Sequence, residues 1–314
     1  KEFRQDQKAQ PFYPYPSPEL YFINIISLKS PLRQGFDRDF AVTRHKKLTK
    51  RTLCGKISQA FHARRQFMEQ IHISESNITI ENKTFSGSHF ARELHPDGRK
   101  CGTFRSYTVL VDGDNVTFKN CVFENTAGRG CDVGQAIALY LDGDNITLES
   151  CTLRGHQDTL FLAPLPEKEM IKDGFLGPKQ FEERKNHTFY FKNCLIEGGV
   201  DFIFGGATAY FENCEFKSVE EGYVFAPSTP ENVKIGFVAK NCRFTAASGI
   251  SDGSCFIARP WRDHGAVELV DCYLGKHISG RGFDDWGKVH AHGTVRFSEC
   301  GSYGEGSEGD RPTY

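Results

Sequence analysis

Two aspartates lie inside segments that otherwise have the composition of buried β-strands. Asp158 is found in GHQDTLF, which begins at Gly155, and Asp201 is found in GGVDFIFGGAT, which begins at Gly198. Burying a carboxylate among apolar side chains is costly unless a partner or a reaction uses it. Two neighbouring carboxylates also resist simultaneous ionisation, so one can stay charged as a nucleophile or base while the other keeps its proton as an acid. If the two side chains are close, they form a candidate acid–base or nucleophilic site.

Three kinds of polar or aromatic residue extend this candidate site. Gln135 lies in GQAIALY and Gln157 lies in GHQDTLF, and their amides can donate hydrogen bonds to an oxygen that becomes negative. The segment IARPWRD supplies Arg259, which can pair with a carboxylate, and Trp261, a flat apolar surface on which a sugar can stack. A buried Arg–Asp pair can also be purely structural. Residue chemistry alone therefore leaves a carboxylate enzyme and a structural network as alternatives.

An internal repeat determines where these residues lie along the chain. Each of six segments contains alternating apolar residues, a polar pair, a cysteine and one or two further apolar residues. Successive cysteines of the repeat are 30, 43, 20, 28 and 30 residues apart. A strand motif that recurs in this way, without a helical pattern, predicts a β-solenoid with about three short strands per coil. One cysteine per coil predicts a column of small buried side chains, rather than a metal site or disulfides. The six cysteines are Cys121, Cys151, Cys194, Cys214, Cys242 and Cys272.

The repeat also predicts that the polar residues lie together. Residues 163–187 are charged, contain Pro and Gly, and lack period-two alternation, so we interpret them as a loop inserted between two coils. This loop either flanks a substrate groove or is a neutral decoration. With roughly 22 inserted residues removed, Asp158 and Asp201 are about one coil apart, and Gln135 precedes Gln157 by a similar distance. The four side chains are therefore predicted on one face of three successive coils, in steps of roughly 5 Å.

Composition and charge narrow the functional classes. The chain has 314 residues and a net charge of −1, which does not indicate a nucleic-acid partner. No apolar run approaches the ~20 residues of a membrane span. The 11 cysteines include no C-x-x-C pair, so a zinc ribbon or a thioredoxin-like motif is not indicated. Residues 1–70 lack the repeat. We expect them to form an atypical N-terminal segment, either partly disordered or a divergent cap, before a catalytic domain at 71–314.

Four motifs together resemble those of a known enzyme family. In order along the chain, GQAIAL, GHQDTLF, VDFIFGGAT and ARPW are similar to the signature motifs of pectin methylesterases, also called pectinesterases. The resemblance runs from about Ile71 to Tyr314, and the insertion resembles that of bacterial, Firmicute-type members. The G-x-Y-x-E motif that usually opens the family is not found in residues 1–70. The resemblance implies an all-β fold, the right-handed parallel β-helix of the single-stranded, pectin-lyase-like solenoids.

The resemblance implies a catalytic role for each polar candidate. Asp201 would attack the methyl-ester carbonyl of a galacturonate unit. Asp158 would give its proton to the departing methanol and would then activate water to hydrolyse the acyl-enzyme. Gln135 and Gln157 would stabilise the tetrahedral oxyanion, and Arg259 would orient Asp201 and keep it charged.

The resemblance also implies how the substrate binds. Trp261, Phe202 and Phe161 would line the sugar groove, and pectin or an oligogalacturonide would be the substrate. No metal or organic cofactor is implied, and we expect a monomer without a nucleic-acid or membrane partner. No signal peptide is visible, and many cysteines lack a disulfide-like framework. We therefore expect a cytoplasmic enzyme, or a secreted one if the N-terminus is incomplete.

Two alternatives keep the fold and change the function. One is a carbohydrate-binding β-helix without catalysis, which the unfamiliar N-terminal segment motivates. The other is an esterase or thioesterase that acts on a different acyl substrate. Glycoside hydrolysis by the two aspartates is disfavoured, because a pair of carboxylates suffices for that reaction and the two glutamines would have no role.

Overall fold

The computed structural model describes residues 70–312, and within this range nearly all regular structure is β-strand. It contains 22 strands, one four-residue α-helix and three short 3-10 helices. The predictions made for residues 1–69 lie outside the described residues. The helices are α1 at Gly130–Val133 and the 3-10 helices at Thr103–Arg105, Val289–Ala291 and Glu305–Ser307. No helix in the described range is long and apolar enough to cross a membrane.

The strands form three sheets, called A, B and C here, in which every pair of neighbouring strands is parallel. Sheet A contains β1 Ile71–Ile73, β4 Val109–Val111, β7 Leu139–Leu141, β10 Leu160–Leu162, β13 Ile203–Gly205, β16 Tyr223–Pro227 and β19 Phe256–Ala258. Sheet B contains β2 Thr79–Glu81, β5 Thr117–Lys119, β8 Ile146–Glu149, β11 Thr188–Lys192, β14 Thr208–Glu212, β17 Phe237–Lys240, β20 Ala266–Val270 and β22 Arg296–Cys300. Sheet C contains β3 Thr84–Gly87, β6 Val122–Asn125, β9 Thr152–Arg154, β12 Leu195–Gly198, β15 Glu215–Ser218, β18 Arg243–Ala246 and β21 Tyr273–Leu274.

Each coil contributes one strand to each sheet in turn, so the architecture is a right-handed parallel β-helix. The fold class that the repeat and the resemblance indicated is thus confirmed. Because each strand pairs with the strand one coil earlier and one coil later, residues at matching places in successive repeats lie side by side. This coil-to-coil register brings distant parts of the chain together.

The Asn-Cys repeat marks the turn between sheets B and C. The residue before each of the six repeat cysteines has a positive φ of 52° to 54°, a left-handed conformation that Asn and Asp tolerate better than most residues. The cysteine that follows points inward, and its thiol donates to a carbonyl of the preceding coil, as Cys194 does to Leu148 O at 3.5 Å. All six repeat thiols are buried and unpaired, so the predicted column of small buried side chains is confirmed. The turn residues are Asn120, Ser150, Asn193, Asn213, Asn241 and Asp271.

Sheet A separates two apolar clusters. In β10, Leu160 and Leu162 belong to the interior core of the helix, whereas Phe161 belongs to a second cluster on the outer face. Leu165 and Phe175 of the inserted segment 163–187 pack into this outer cluster, so the insertion covers part of sheet A. Alternation along the strand explains the two clusters, since successive side chains point to opposite faces.

Lys179, in the second half of the insertion, forms ion pairs with the turns of two coils. Lys179 Nζ lies 2.8 Å from Asp112 Oδ2 and 3.8 Å from Asp142 Oδ2. All three side chains are largely buried, which makes the ion pairs stronger than exposed ones because less water screens them. The insertion is therefore held at both ends of its contact with the β-helix, by apolar packing and by charge.

Candidate active site

Asp158 and Asp201 occupy matching places on adjacent coils. In the parallel ladder Leu160 pairs with Ile203, and each aspartate precedes its paired residue by two positions. The Asp158 N–H donates to Val200 O at 3.1 Å, which extends the ladder to the aspartates themselves. Both have positive φ values, 63° and 51°, so the backbone turns at these positions before each strand begins. The predicted placement of the pair one coil apart agrees with this register.

Arg259 holds Asp201 through two hydrogen bonds. Its Nε donates to Oδ1 at 2.7 Å and its Nη2 donates to Oδ2 at 2.6 Å, and both side chains are largely buried. Arg259 directly follows β19, two coils beyond Asp201, and its N–H donates to Phe225 O. A bidentate contact of this kind fixes both the position and the plane of a carboxylate.

The environment divides the proton and the charge between the two aspartates. Burial raises the pKa of the Asp158 carboxyl well above its ordinary value, and the negative charge of Asp201 raises it further. Burial also raises the pKa of Asp201, but the hydrogen bonds and the positive charge of Arg259 oppose that effect. Because Asp158 has a repelling neighbour and Asp201 has a bound cation, Asp158 is the carboxyl group of the pair that keeps its proton to higher pH.

The two glutamines lie on neighbouring coils beside this pair. The Gln157 side chain lies close enough to the Asp158 carboxyl to oppose the rise of its pKa, and it packs against Gly130, where a Cβ would lie 2.6 Å from Gln157 Oε1. Gln135 lies one coil earlier, next to Ala136, whose N–H donates to Gln157 O at 3.1 Å. The backbone thus brings the two glutamines together as predicted. The structure shows no direct contact between the Gln135 side chain and either aspartate within the described residues.

The three predicted sugar contacts lie in different environments. Trp261 is half-buried and packs against Phe204 of the outer cluster, with ring centroids 5.7 Å apart. Phe161 is fully buried in that cluster, and Phe202 is fully buried in the interior core. Direct sugar contact by these two phenylalanines is therefore corrected, because neither ring reaches the surface. Trp261 stays a predicted contact.

Several neighbours of the site were not singled out from the sequence. The rings of Tyr223 and Trp286 lie 3.9 Å and 3.7 Å from Arg259 Cζ. Trp286 is part of the segment GFDDWG, which begins at Gly282. His156, which directly precedes Gln157, forms an ion pair with Glu220. Only the stacking of coils brings these residues to the site, so no local pattern marks them. Within residues 70–312, no group of three or more His, Cys, Asp or Glu is arranged to hold a metal ion.

A comparison with protein families decides the classification. The pectinesterase family model matches residues 61–165 and 183–312. This chain belongs to the pectinesterase family. The unmatched segment between the two ranges lies within the insertion at 163–187, which identifies that loop as an addition to the shared β-helix.

Known pectinesterases are similar to this chain over most of its length. Pectinesterase 31 of Arabidopsis thaliana is 31% identical over 207 residues, which are 66% of this chain and 57% of the relative. The pectin methylesterase of Aspergillus niger is 27% identical with a TM-score of 0.64, covering 78% of this chain and 76% of that one. A pectin methylesterase in complex with hexasaccharide VII is 25% identical with a TM-score of 0.61, covering 78% and 80%. The chain spans about half the length of several curated relatives: it covers 57%, 56% and 43% of the lengths of three of them.

Proposed function

We propose that this protein removes methyl groups from methyl-esterified galacturonate units of pectin and releases methanol. The observation that carries the proposal is the pair of buried carboxyl groups on adjacent coils, Asp158 and Asp201, of which Arg259 holds Asp201 through two hydrogen bonds. A buried carboxylate beside a buried carboxylic acid provides a nucleophile and a proton donor in one place. Family membership directs this chemistry to pectin.

The reaction begins with attack by Asp201. One carboxylate oxygen of Asp201 forms a bond to the ester carbonyl carbon, and the carbonyl oxygen becomes negative. As the bond to the methoxy group breaks, Asp158 donates its proton and methanol leaves. The product is an anhydride between Asp201 and the uronate. Asp158, now charged, removes a proton from water, which attacks the anhydride and restores both carboxyl groups to their starting states.

Gln135 and Gln157 are assigned to the negative oxygen of the tetrahedral intermediate. Amide N–H groups aimed at such an oxygen lower the barrier because they are already oriented when charge develops. The proximity of Gln157 to Asp158 supports this role, since it places the Gln157 amide beside the reacting carboxyl. Gln135 lies on the preceding coil, where its neighbour Ala136 donates to Gln157 O, and one coil spacing is roughly 5 Å.

Trp261 and the insertion are assigned to substrate binding. Phe175 of the insertion lies with its ring 6.4 Å from that of Trp261, and Arg262 Nη2 donates to Lys168 O at 3.0 Å. These contacts support the interpretation of segment 163–187 as a flank of the substrate groove. A substrate of pectin or oligogalacturonide is consistent with the hexasaccharide complex of a related pectin methylesterase.

We also propose a domain organisation and an origin for the chain. We assign catalysis to residues 71–314, because the β-helix and all candidate site residues lie there. A bacterial, Firmicute-type origin is proposed from the insertion alone.

Methanol release from methyl-esterified pectin tests the proposed function. The wild-type protein should release methanol, and Asp201→Ala should lower the rate at least about 1,000-fold, because the nucleophile is lost. Asp252→Asn, which replaces an exposed carboxylate paired with Lys276, is the matched control and should retain full activity. Equal rates for wild type and Asp201→Ala would contradict the proposal. Pectin binding without methanol release by the wild type would instead support the non-catalytic alternative.

A further inference from the structure

The guanidinium group of Arg259 is enclosed by two aromatic rings. Its Cζ lies 3.9 Å from the ring centroid of Tyr223 and 3.7 Å from that of Trp286. Two rings whose centroids both lie this close to one carbon would overlap if they shared a face of the guanidinium plane. The rings therefore cover opposite faces, and the edge of the group remains for the two hydrogen bonds to Asp201.

Both rings are held in place by contacts of their own. Tyr223 begins β16, accepts a backbone hydrogen bond from Phe202 N at 3.4 Å, and stacks on Phe256 with ring centroids 5.3 Å apart. The Tyr223 ring is thus part of the packed coils, so it restricts the motion of the group that lies against it.

Trp286 lies on the loop between β21 and the 3-10 helix at Val289–Ala291. Its N–H donates to Asp284 Oδ1 at 2.7 Å, and the Asp284 N–H donates to Ala258 O at 3.0 Å, directly beside Arg259. The ring remains 39% exposed, so the indole covers Arg259 from the solvent side.

We propose that Tyr223 and Trp286 are positioning residues that form an aromatic clamp, fixing the plane of Arg259 so that it presents Asp201 for attack. The inference rests on the proposed function for its catalytic consequence. An arginine side chain has many rotamers, and stacking on two rings selects the one in which its fork meets the carboxylate. Neither ring contacts the reacting atoms in this assignment; both act through Arg259.

The clamp has a specific purpose in the two-step reaction. When Asp201 forms its bond to the substrate carbonyl, its negative charge is lost and its attraction for Arg259 weakens. The charge returns when water attacks the anhydride and the bond to Asp201 breaks. A guanidinium held by two rings stays in position through the uncharged stage, so that Asp201 is released into the same geometry.

Other charged groups also act on Arg259 and Asp201, so a test must separate them from the clamp. Asp158 faces Asp201 from the preceding coil, Asp284 acts on Tyr223, and Lys288 lies 5.4 Å from the Trp286 ring. Replacing either aromatic ring by leucine leaves all these charges unchanged. Water admitted by the smaller side chain would lower the pKa of Asp201, so a rise of that pKa in such a variant reflects displacement of Arg259.

The test compares Tyr223→Leu and Trp286→Leu with their conservative counterparts Tyr223→Phe and Trp286→Phe. Each leucine variant should lower kcat for methanol release about tenfold with little change in KM, and each phenylalanine variant should recover most of that loss. Tyr273→Leu is the matched control, because Arg243 lies 4.6 Å over the Tyr273 ring outside the site. This control should retain the wild-type kcat.

A second measurement does not depend on activity. In an Asp158→Asn background, the Asp201 carboxyl is followed by 13C NMR as the pH changes. Loss of either ring should raise the pKa of Asp201, because a displaced Arg259 no longer stabilises the carboxylate. If the wild-type protein releases no methanol, the proposed function is refuted. The titration of Asp201 then remains as the test of the clamp.

Two results would overturn the clamp. One is an unchanged Asp201 titration in both leucine variants that remain folded by circular dichroism. The other is a rise in KM with kcat unchanged, which would show that the rings bind the sugar instead of positioning Arg259. If a leucine variant fails to fold, its phenylalanine counterpart is measured in its place. A tenfold lower kcat in that counterpart, together with an Asp201 titration equal to that of wild type, would also overturn the clamp.

Discussion

Asp158 and Asp201 lie side by side because each precedes a paired strand residue by two positions, Leu160 on one coil and Ile203 on the next. Asp201 follows Asp158 by 43 positions and the whole insertion lies between them, yet the insertion does not disturb the register. One coil spacing, ~4.8 Å, is close enough for strong repulsion between two buried charges. Their unequal pKa values follow from this geometry and from Arg259, which contacts only Asp201 of the pair.

The pH dependence of the reaction should be bell-shaped. Activity requires Asp201 to be charged and Asp158 to be protonated, so the rate should fall on the acid side as Asp201 gains a proton and on the alkaline side as Asp158 loses one. Burial raises both pKa values, which displaces both limbs upward from the ordinary aspartate range. The residual activity of the Asp158→Asn variant should lack the alkaline limb. If the alkaline limb persists in this variant, another group is responsible for it.

Asp158→Asn should stabilise the protein at neutral pH. The pKa of Asp158 is raised in the folded state, so the folded protein binds its proton more tightly than the unfolded chain does. The stability contributed by that proton is complete below the unfolded pKa of about 4 and is lost as the pH rises through the folded value. Urea unfolding from pH 4 to 8 should therefore show the Asp158→Asn variant gaining stability relative to wild type as the pH rises. A difference that is independent of pH would contradict this assignment.

Phe161 and Trp261 should respond differently to replacement. Phe161→Leu should lower the free energy of unfolding by about 1–2 kcal/mol and leave KM unchanged, because its ring is fully buried in the outer cluster. Trp261→Leu should raise KM about tenfold, as expected for a half-buried ring that stacks on a sugar. Methanol-release kinetics and urea unfolding of both variants check this. A raised KM for Phe161→Leu alone would show that the Phe161 ring contributes to sugar binding.

Lys179→Ala should loosen the insertion. The lysine pairs with Asp112 and Asp142, and its loss leaves the pairing of these largely buried carboxylates to His72 and His187, which are charged only when protonated. Limited proteolysis should then cut within residues 163–187 several-fold faster, as read by mass spectrometry of the fragments. Lys185→Ala is the control on the same loop, because its pair with Glu183 is exposed and contributes little. Equal cleavage of the two variants would show that apolar packing alone holds the loop.

The ion pairs of the same lysine also make the stability of the protein depend on pH. Burial raises the pKa of Asp142 to about 7, and Lys179 is the main opposing influence. Since the folded state holds this proton more tightly, stability is lost as the pH rises from about 4 toward 7. Asp142→Asn should remove that loss, and thermal unfolding across this range measures it. A wild-type midpoint that falls no faster than that of the variant would contradict the expected sign.

Much of the fold could be predicted because the repeat is local in sequence. The residue before each repeat cysteine adopts a left-handed turn, and the cysteine enters the column, so each motif specifies its own corner of the coil. Subtraction of the inserted segment then placed Asp158 beside Asp201, because parallel coils pair residue by residue. Period-two alternation likewise separated the two faces of each strand.

The sequence by itself therefore determined the β-helix, its turns and the pairing of the two aspartates. Only the tertiary structure decided which outward-facing rings are covered, as Phe161 is, and which remain accessible, as Trp286 does. It also decided that Tyr223 and Trp286 enclose Arg259. The physical reason is that alternation reports the face of a strand, whereas the loops that cover the face come from other coils with irregular lengths and no repeat.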